Sequence, residues 1–276
     1  MPDFDSPAEC LEFLHSQRGE DYCQKVVFRG EYNLHPSRLP SAARYAEEDY
    51  QRYVSYSRGL GMHLGDTVFY PRLGSSSYAP TLDGKPLEYR DLLGKSTGEG
   101  YAQLNWRLES IFQHYGMHTR WIDLTFDPRV ALFFGSWDAS VNKISTEGEG
   151  YVYFARMDAL SSTQGGPLID LRKSSDLLAE ILGVTSERPR AQSAASFRFP
   201  PGLKSVAKIS EAFECVSFKR SNDLCILSEK WLFPDEPFQN LVNEWDEEYM
   251  KYLRDTPDLK FIWEQHPKTV AATQTA

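Results

Sequence analysis

Between positions 120 and 137 an extended run, Arg120-Trp121-Ile122-Asp123-Leu124-Thr125, stops at Asp127-Pro128, and Val130, Ala131, Phe134 and Trp137 follow at helical spacing. Aspartate accepts the free N–H groups of a helix start, and proline suits the first helical position, where its missing N–H has no partner to lose. A strand therefore runs almost directly into a helix that turns its apolar face inward. That junction ties a sheet to a packed helix and predicts a mixed α and β chain.

Other segments agree. Ser6-Pro7-Ala8-Glu9 carries a capping serine, a first-position proline and a glutamate that can complete a capping box, and Leu11 and Leu14 supply the apolar stripe. Lys25-Val26-Val27-Phe28-Arg29-Gly30 is a β-branched and aromatic run that ends on arginine and glycine. Residues 41–57 and 177–182 read as helices, and Leu104, Leu108, Ile111, Phe112 and Tyr115 form a helical stripe stopped by Gly116. Tyr151–Ala155 and Phe213–Phe218 are strands, and Leu241, Val242, Trp245, Tyr249, Tyr252 and Leu253 trace a C-terminal amphipathic helix. From 71 to 100 the chain turns to Gly, Ser, Pro and Thr, a long loop or insertion placed to act as a lid. Without repeats or an evident linker, the expected organisation is one domain over 1–265 with a flexible tail at 266–276.

Composition narrows the function classes. An apolar share of 41% over 276 residues is enough for a core and excludes a wholly disordered chain. Thirty Lys and Arg against 39 Asp and Glu leave −9, which argues against bulk binding to duplex nucleic acid, where a basic field must displace counterions. No stretch nears the roughly 18 apolar residues of a membrane span, and the acidic N-terminus does not read as a secretory signal. Cys10, Cys23, Cys215 and Cys225 form no C-x-x-C pair and read as reduced thiols, so a cytoplasmic protein is expected.

Most motif matches fail on chemistry. Gly94-Lys95-Ser96 resembles the end of a phosphate loop, but Tyr89 stands where that loop needs glycine. Gly74-Ser75-Ser76-Ser77-Tyr78 lacks the last glycine of a nucleophile elbow. His114 and His118 share a helical spacing, yet Gly116 lies between them and no zinc-protease glutamate accompanies them, so no metal is expected. Glu147 and Glu149 imitate an E-x-E pair but fit a solvated turn.

Two segments remain. In Phe28-Arg29-Gly30 a strand-ending arginine can grip a phosphate or carboxylate through two parallel hydrogen bonds, while glycine lets a ligand approach the backbone. In His114-Tyr115-Gly116-Met117-His118-Thr119-Arg120-Trp121-Ile122-Asp123-Leu124-Thr125, polar groups crowd next to a helix N-terminus, whose dipole favours an anion. Arg29 paired with Asp123 as a core ion pair, and Thr125 as a simple cap, are the structural alternatives.

These residues, from about 8 to 250, resemble the FRG-domain family. The tripeptide stands at 28–30 and the His-Tyr-Gly, Thr-Arg, Asp-x-Thr string with its proline-led helix at 114–134. Arg190-Ala191-Gln192 and Phe233-Pro234-Asp235 match later elements, while Ser193-Ala194-Ala195-Ser196-Phe197 lacks the usual glycine. The resemblance implies a bacterial or phage protein, in some cases linked to phage defence or conflict. It also implies a layout like that of ADP-ribosyltransferases: an α+β fold with a split central β-sheet flanked by helices. On that reading the chain is a transferase that binds NAD or a related nucleotide and modifies an unknown macromolecular target. Arg29, Gly30, Tyr115, Thr119, Arg120 and Thr125 would contact the nucleotide. Arg29, His114, Asp123 and Gln192 would carry the chemistry, with Glu187 or Glu211 as substitutes for Gln192 near the ribose. Two alternatives stay open: a non-catalytic module that senses a nucleotide or binds a protein, and a nuclease or hydrolase using His114 and Asp123.

Overall fold

A computed structural model describes residues 1–17, 26–34, 81–82, 85–86, 109–115, 121–162, 168–172, 185–199, 209–224, 227–255 and 257. The expected helices at 41–57 and 177–182, the tail at 266–276, and Thr119, Arg120, His118, Cys23 and Cys225 lie outside these residues. So does nearly all of the expected insertion, within which Thr81–Leu82 (β3) pairs with Lys85–Pro86 (β4).

Seven strands form one mixed sheet: Asp3–Phe4 (β1), Val26–Glu31 (β2), Trp121–Thr125 (β5), Glu149–Arg156 (β8), Leu168–Asp170 (β9), Ala194–Arg198 (β10) and Glu214–Lys219 (β11), with the short hairpin Trp137–Asp138 (β6) and Lys143–Ile144 (β7) apart from it. The spatial order is β1-β11-β8-β2-β5-β10-β9. Every neighbouring pair is antiparallel except β1 with β11. The expected α+β class is met by this sheet and its flanking helices.

Helices start where the capping residues put them. In Pro7–Ser16 (α1) the Ser6 hydroxyl accepts from Glu9 N at 3.2 Å, and the Glu9 carboxylate reaches back to Asp5 N at 3.1 Å. In Pro128–Ser136 (α2) Asp127 Oδ1 accepts from Arg129 N at 2.9 Å. Both helices press on one face of the sheet. Cys10 and Leu14 of α1 meet Ala131 and Leu132 of α2 over Val26, Phe28, Val152, Phe154, Val216 and Phe218. The remaining helices are Met157–Ser162 (α3), Arg188–Ala191 (α4), Glu229–Leu232 (α5) and Pro237–Asp255 (α6). No described helix is long and apolar enough to cross a membrane.

Close approach of α2 to the sheet depends on missing side chains. A Cβ on Gly30 would lie 1.8 Å from Ala131 O and 2.6 Å from Gly135 N, and one on Gly150 would lie 2.6 Å from Gly135 O. The open Cβ position of Gly30 therefore faces a helix, while Gly30 also lines the cavity described below.

Arg220 fastens this corner. Its guanidinium donates to Gly135 O and Glu147 O, each at 3.0 Å, and to Tyr32 O, and it lies over the Tyr32 ring. Three backbone segments thus share one cation, which suits the five fixed donors of arginine.

Candidate functional site

β2 and β5 are sheet neighbours that share a single register pair, Phe28 with Thr125. Beyond it the strands part, and a cavity of about 520 Å³ opens there, lined by Arg29, Gly30, Glu31, Tyr32, His114, Asp123, Thr125 and Gln192 among others. Parting leaves carbonyls of β5 without strand partners. Arg29 answers one of them, donating from Nη1 to Asp123 O at 2.9 Å.

Arg29 also donates from Nε to Glu31 Oε1 at 2.5 Å. Residues two apart on a strand share a face, so the pair follows from strand geometry. Burial works against the charge on Arg29, but the Glu31 and Asp123 carboxylates outweigh it and hold the guanidinium above its ordinary value. Nη2 has no partner among the described residues. Arg29 and Asp123 thus converge on one cavity, though their direct contact runs to the Asp123 backbone and not to its carboxylate.

The Asp123 carboxylate belongs with His114. Nε2 of His114 comes within 3.3 Å of Asp123 Oδ1, with the histidine side chain 4% exposed and the aspartate side chain 31% exposed. The approach is off the line of a hydrogen bond, and buried Oδ1 has no hydrogen-bond partner. Ser196, opposite Asp123 in the β10–β5 register, brings its Oγ to 3.4 Å from the same Nε2. On the other side of the ring Nδ1 faces Gln192 Oε1 at 3.3 Å.

Gln192 is 4% exposed. Its side-chain amide donates to Leu232 O at 3.0 Å, and its carbonyl accepts from Thr125 Oγ1 at 2.7 Å. Thr125 Oγ1 also accepts from Asp127 N at 3.0 Å. Its hydroxyl is thereby committed to joining β5, the start of α2 and the loop at 192.

Tyr115 is expected in the cavity wall but is buried behind it, with its hydroxyl donating to Glu236 Oε1 at 2.5 Å and lying 2.7 Å from Ser186 Oγ. Burial and the Glu236 acceptor push this phenol well above its ordinary value. Glu236 also accepts from Glu187 N and Arg188 N. Arg188 donates to His114 O at 3.1 Å and lies over the Tyr115 ring. This layer holds α4, and so Gln192, against the end of the helical turns at 109–114 that carry His114.

Sequence reasoning missed Glu31, Ser196, Arg188 and Glu236. The two-residue strand period after Arg29 points to Glu31. Glu236 has no local signal, because its partners lie 48 to 121 residues away. Glu187 pairs with Arg190 at 3.5 Å and does not line the cavity, and neither does Glu211. Aromatic side chains form the remaining wall. Trp137 stacks on Phe133 at 5.3 Å and lies 5.5 Å from Phe233, with Phe134 5.9 Å from Phe233. Asp138 also lines the cavity.

Fold and site together describe a mixed-sheet domain whose polar cluster sits where the central strands part. An FRG-domain family model matches residues 24–143, a span that contains Arg29, His114 and Asp123. Gln192 and Phe233 lie beyond the matched residues. No curated protein and no solved structure matches the chain.

Proposed function

We propose that this cavity takes NAD as a substrate and breaks its N-glycosidic bond, in the manner of an ADP-ribosyltransferase. The observation that carries the reading is the make-up of the wall. Among the described residues, Glu31, Asp123 and Asp138 stand with one arginine, Arg29, and with Phe134, Trp137 and Phe233. Carboxylates and aromatic faces favour a positively charged ring such as nicotinamidium over a nucleoside triphosphate, which would meet a largely acidic wall. The volume lies within the range of about 300–1,000 Å³ typical of small-molecule sites.

Each residue then has a role set by its atoms. Nη2 of Arg29 is the open donor for a phosphate oxygen. Loss of nicotinamide develops positive charge on the ribose, and the Asp123 carboxylate, which lines the cavity with its side chain 31% exposed, is the group that stabilises it. His114, beside Asp123, takes the proton of the attacking nucleophile. The amide of Gln192 is engaged by Leu232 and His114, so Gln192 acts through the histidine and not on the ribose. The acceptor is a macromolecular target whose hydroxyl, amine or carboxylate replaces nicotinamide at the anomeric carbon.

The 3.3 Å approach of His114 to Asp123 also favours a hydrolase, in which water is the nucleophile. Incubating the full chain with NAD and following nicotinamide, ADP-ribose and labelled protein separates the two. Nicotinamide with protein-bound ADP-ribose supports the transferase, and nicotinamide with free ADP-ribose supports the hydrolase. Neither nicotinamide release nor calorimetric binding of NAD would overturn both.

A further inference from the structure

We infer that Gln192 sets the tautomer of His114, keeping the proton on Nδ1 so that Nε2, on the Asp123 side, is the nitrogen that takes up and releases a proton. The catalytic consequence rests on the function proposed above; the tautomer does not.

The assignment follows from which atoms can donate. Leu232 O is an acceptor, so the Gln192 atom 3.0 Å from it must be the NH2 group. That fixes the other amide atom, 3.3 Å from His114 Nδ1, as oxygen. An amide oxygen cannot donate, so Nδ1 must. The amide is not free to turn over, because reversal would set oxygen against the Leu232 carbonyl and NH2 against the ring.

Both partners are held in place. The Gln192 backbone N donates to Arg188 O at 2.9 Å, and its carbonyl accepts from Thr125. The His114 carbonyl accepts from Arg188 Nη1. With Nδ1 committed, Nε2 has two neighbours suited to its two states. The Ser196 hydroxyl, 3.4 Å away, can donate to a bare Nε2, and the charge of Asp123 Oδ1, 3.3 Å away, favours a protonated one. Asp123 is the one carboxylate facing the ring among the described residues, and Arg188 the one cation bonded to its backbone. Gln192 is therefore a positioning residue, and a proton leaving a nucleophile goes to Nε2.

The test is the nitrogen spectrum of the full chain labelled with ¹⁵N-histidine, recorded by long-range ¹H–¹⁵N correlation. His114→Asn identifies the signal among the six histidines. In the wild type, neutral His114 should show Nδ1–H, the form that free imidazole side chains disfavour. Gln192→Met keeps the length without an oxygen and should return the ring to Nε2–H, whereas Gln192→Glu, which keeps an acceptor, should preserve Nδ1–H. Neutral His114 as Nε2–H in the wild type overturns the inference even if Gln192→Met does not fold, and so does an unchanged tautomer in a folded Gln192→Met. If NAD is consumed, Gln192→Met should lower kcat by up to about 100-fold, the lower end of what general acid–base catalysis supplies, with KM nearly unchanged. An Nδ1–H signal in a chain that never consumes NAD leaves the tautomer standing and removes the proposed reaction.

Discussion

Replacing Gly30 by alanine separates two reasons for a glycine after the strand arginine. If glycine serves only to let a ligand approach, Gly30→Ala should fold normally. It should even gain some of the roughly 0.5–1 kcal/mol that glycine costs a strand interior relative to alanine. The packing of α2 on β2 predicts the opposite. The new Cβ would sit 1.8 Å from Ala131 O, 2.6 Å from Gly135 N and 2.8 Å from Ala131 C, and all three are backbone atoms. No side chain can swing aside, so the helix must withdraw by more than 1 Å. Withdrawal loosens Ala131 and Leu132 from Phe28 and Val152. Overpacking a core costs about 1–3 kcal/mol where side chains can adjust, and a backbone obstacle puts this site at or above the top of that range. At about 2–4 °C per kcal/mol for large domains, the midpoint should fall by roughly 6–12 °C. Thermal unfolding followed by circular dichroism, with urea denaturation alongside, measures it. A midpoint equal to or above that of the wild type would refute the packing argument and leave ligand access as the reason for the glycine.

Arg29→Lys should lower the thermal midpoint as well as NAD affinity in calorimetry. One ammonium replaces a guanidinium that serves both Glu31 and Asp123 O, and an unsatisfied buried carbonyl costs about 1–3 kcal/mol. Ser193 has φ +45°, in the left-handed region, where a non-glycine residue is strained by roughly 1–2 kcal/mol. Ser193→Gly should therefore raise the midpoint by a few degrees once the added chain entropy is deducted, as a calorimetric scan would show. Burial, and secondarily its neighbour Cys215, push the Cys10 thiol up to about 12, so peptide mapping after iodoacetamide at pH 8 should find Cys10 unmodified in the folded chain and modified in urea. The hydrogen bond from Arg156 holds exposed Asp158 down to about 2. A depressed folded value stabilises above the ordinary aspartate value of about 3.9 and is lost as pH falls towards 2, and carboxyl NMR should show Arg156→Gln returning Asp158 towards that ordinary value.

What could be read from the sequence follows the range of the interactions. Ser6 with Glu9 and Asp127 with Pro128 act within four residues, so both helix starts are legible, as is the strand that ends in Arg29. The polar cluster at 114–125 is legible as residue types but not as contacts. Asp123 offers its backbone to Arg29 and its carboxylate to His114, and no spacing rule separates the two. Thr125 reads as a cap and does accept from Asp127 N, yet its donor goes to residue 192 on another strand connection. Tyr115 looks like a ligand residue beside His114, but its partner is Glu236, 121 positions away. Ser193, just after Gln192, takes up the left-handed conformation that glycine would adopt without strain, and no residue type in the sequence announces it.

The parting of β2 from β5 explains why the arginine of this tripeptide cannot be assigned wholly to the core or wholly to a ligand. A sheet that opens must satisfy the carbonyls it exposes, and any group that does so stands at the edge of the opening. Arg29 meets that need at Asp123 O through Nη1 and still has Nη2 without a partner among the described residues. Glu31, on the same strand face, keeps the guanidinium charged and oriented but competes for it with any incoming anion. A phosphate that binds Arg29 therefore does so against a carboxylate already in place, which favours a ligand whose anion is accompanied by a cation for the acidic wall to hold. Nucleotides with a positively charged base meet that condition, and simple phosphates do not.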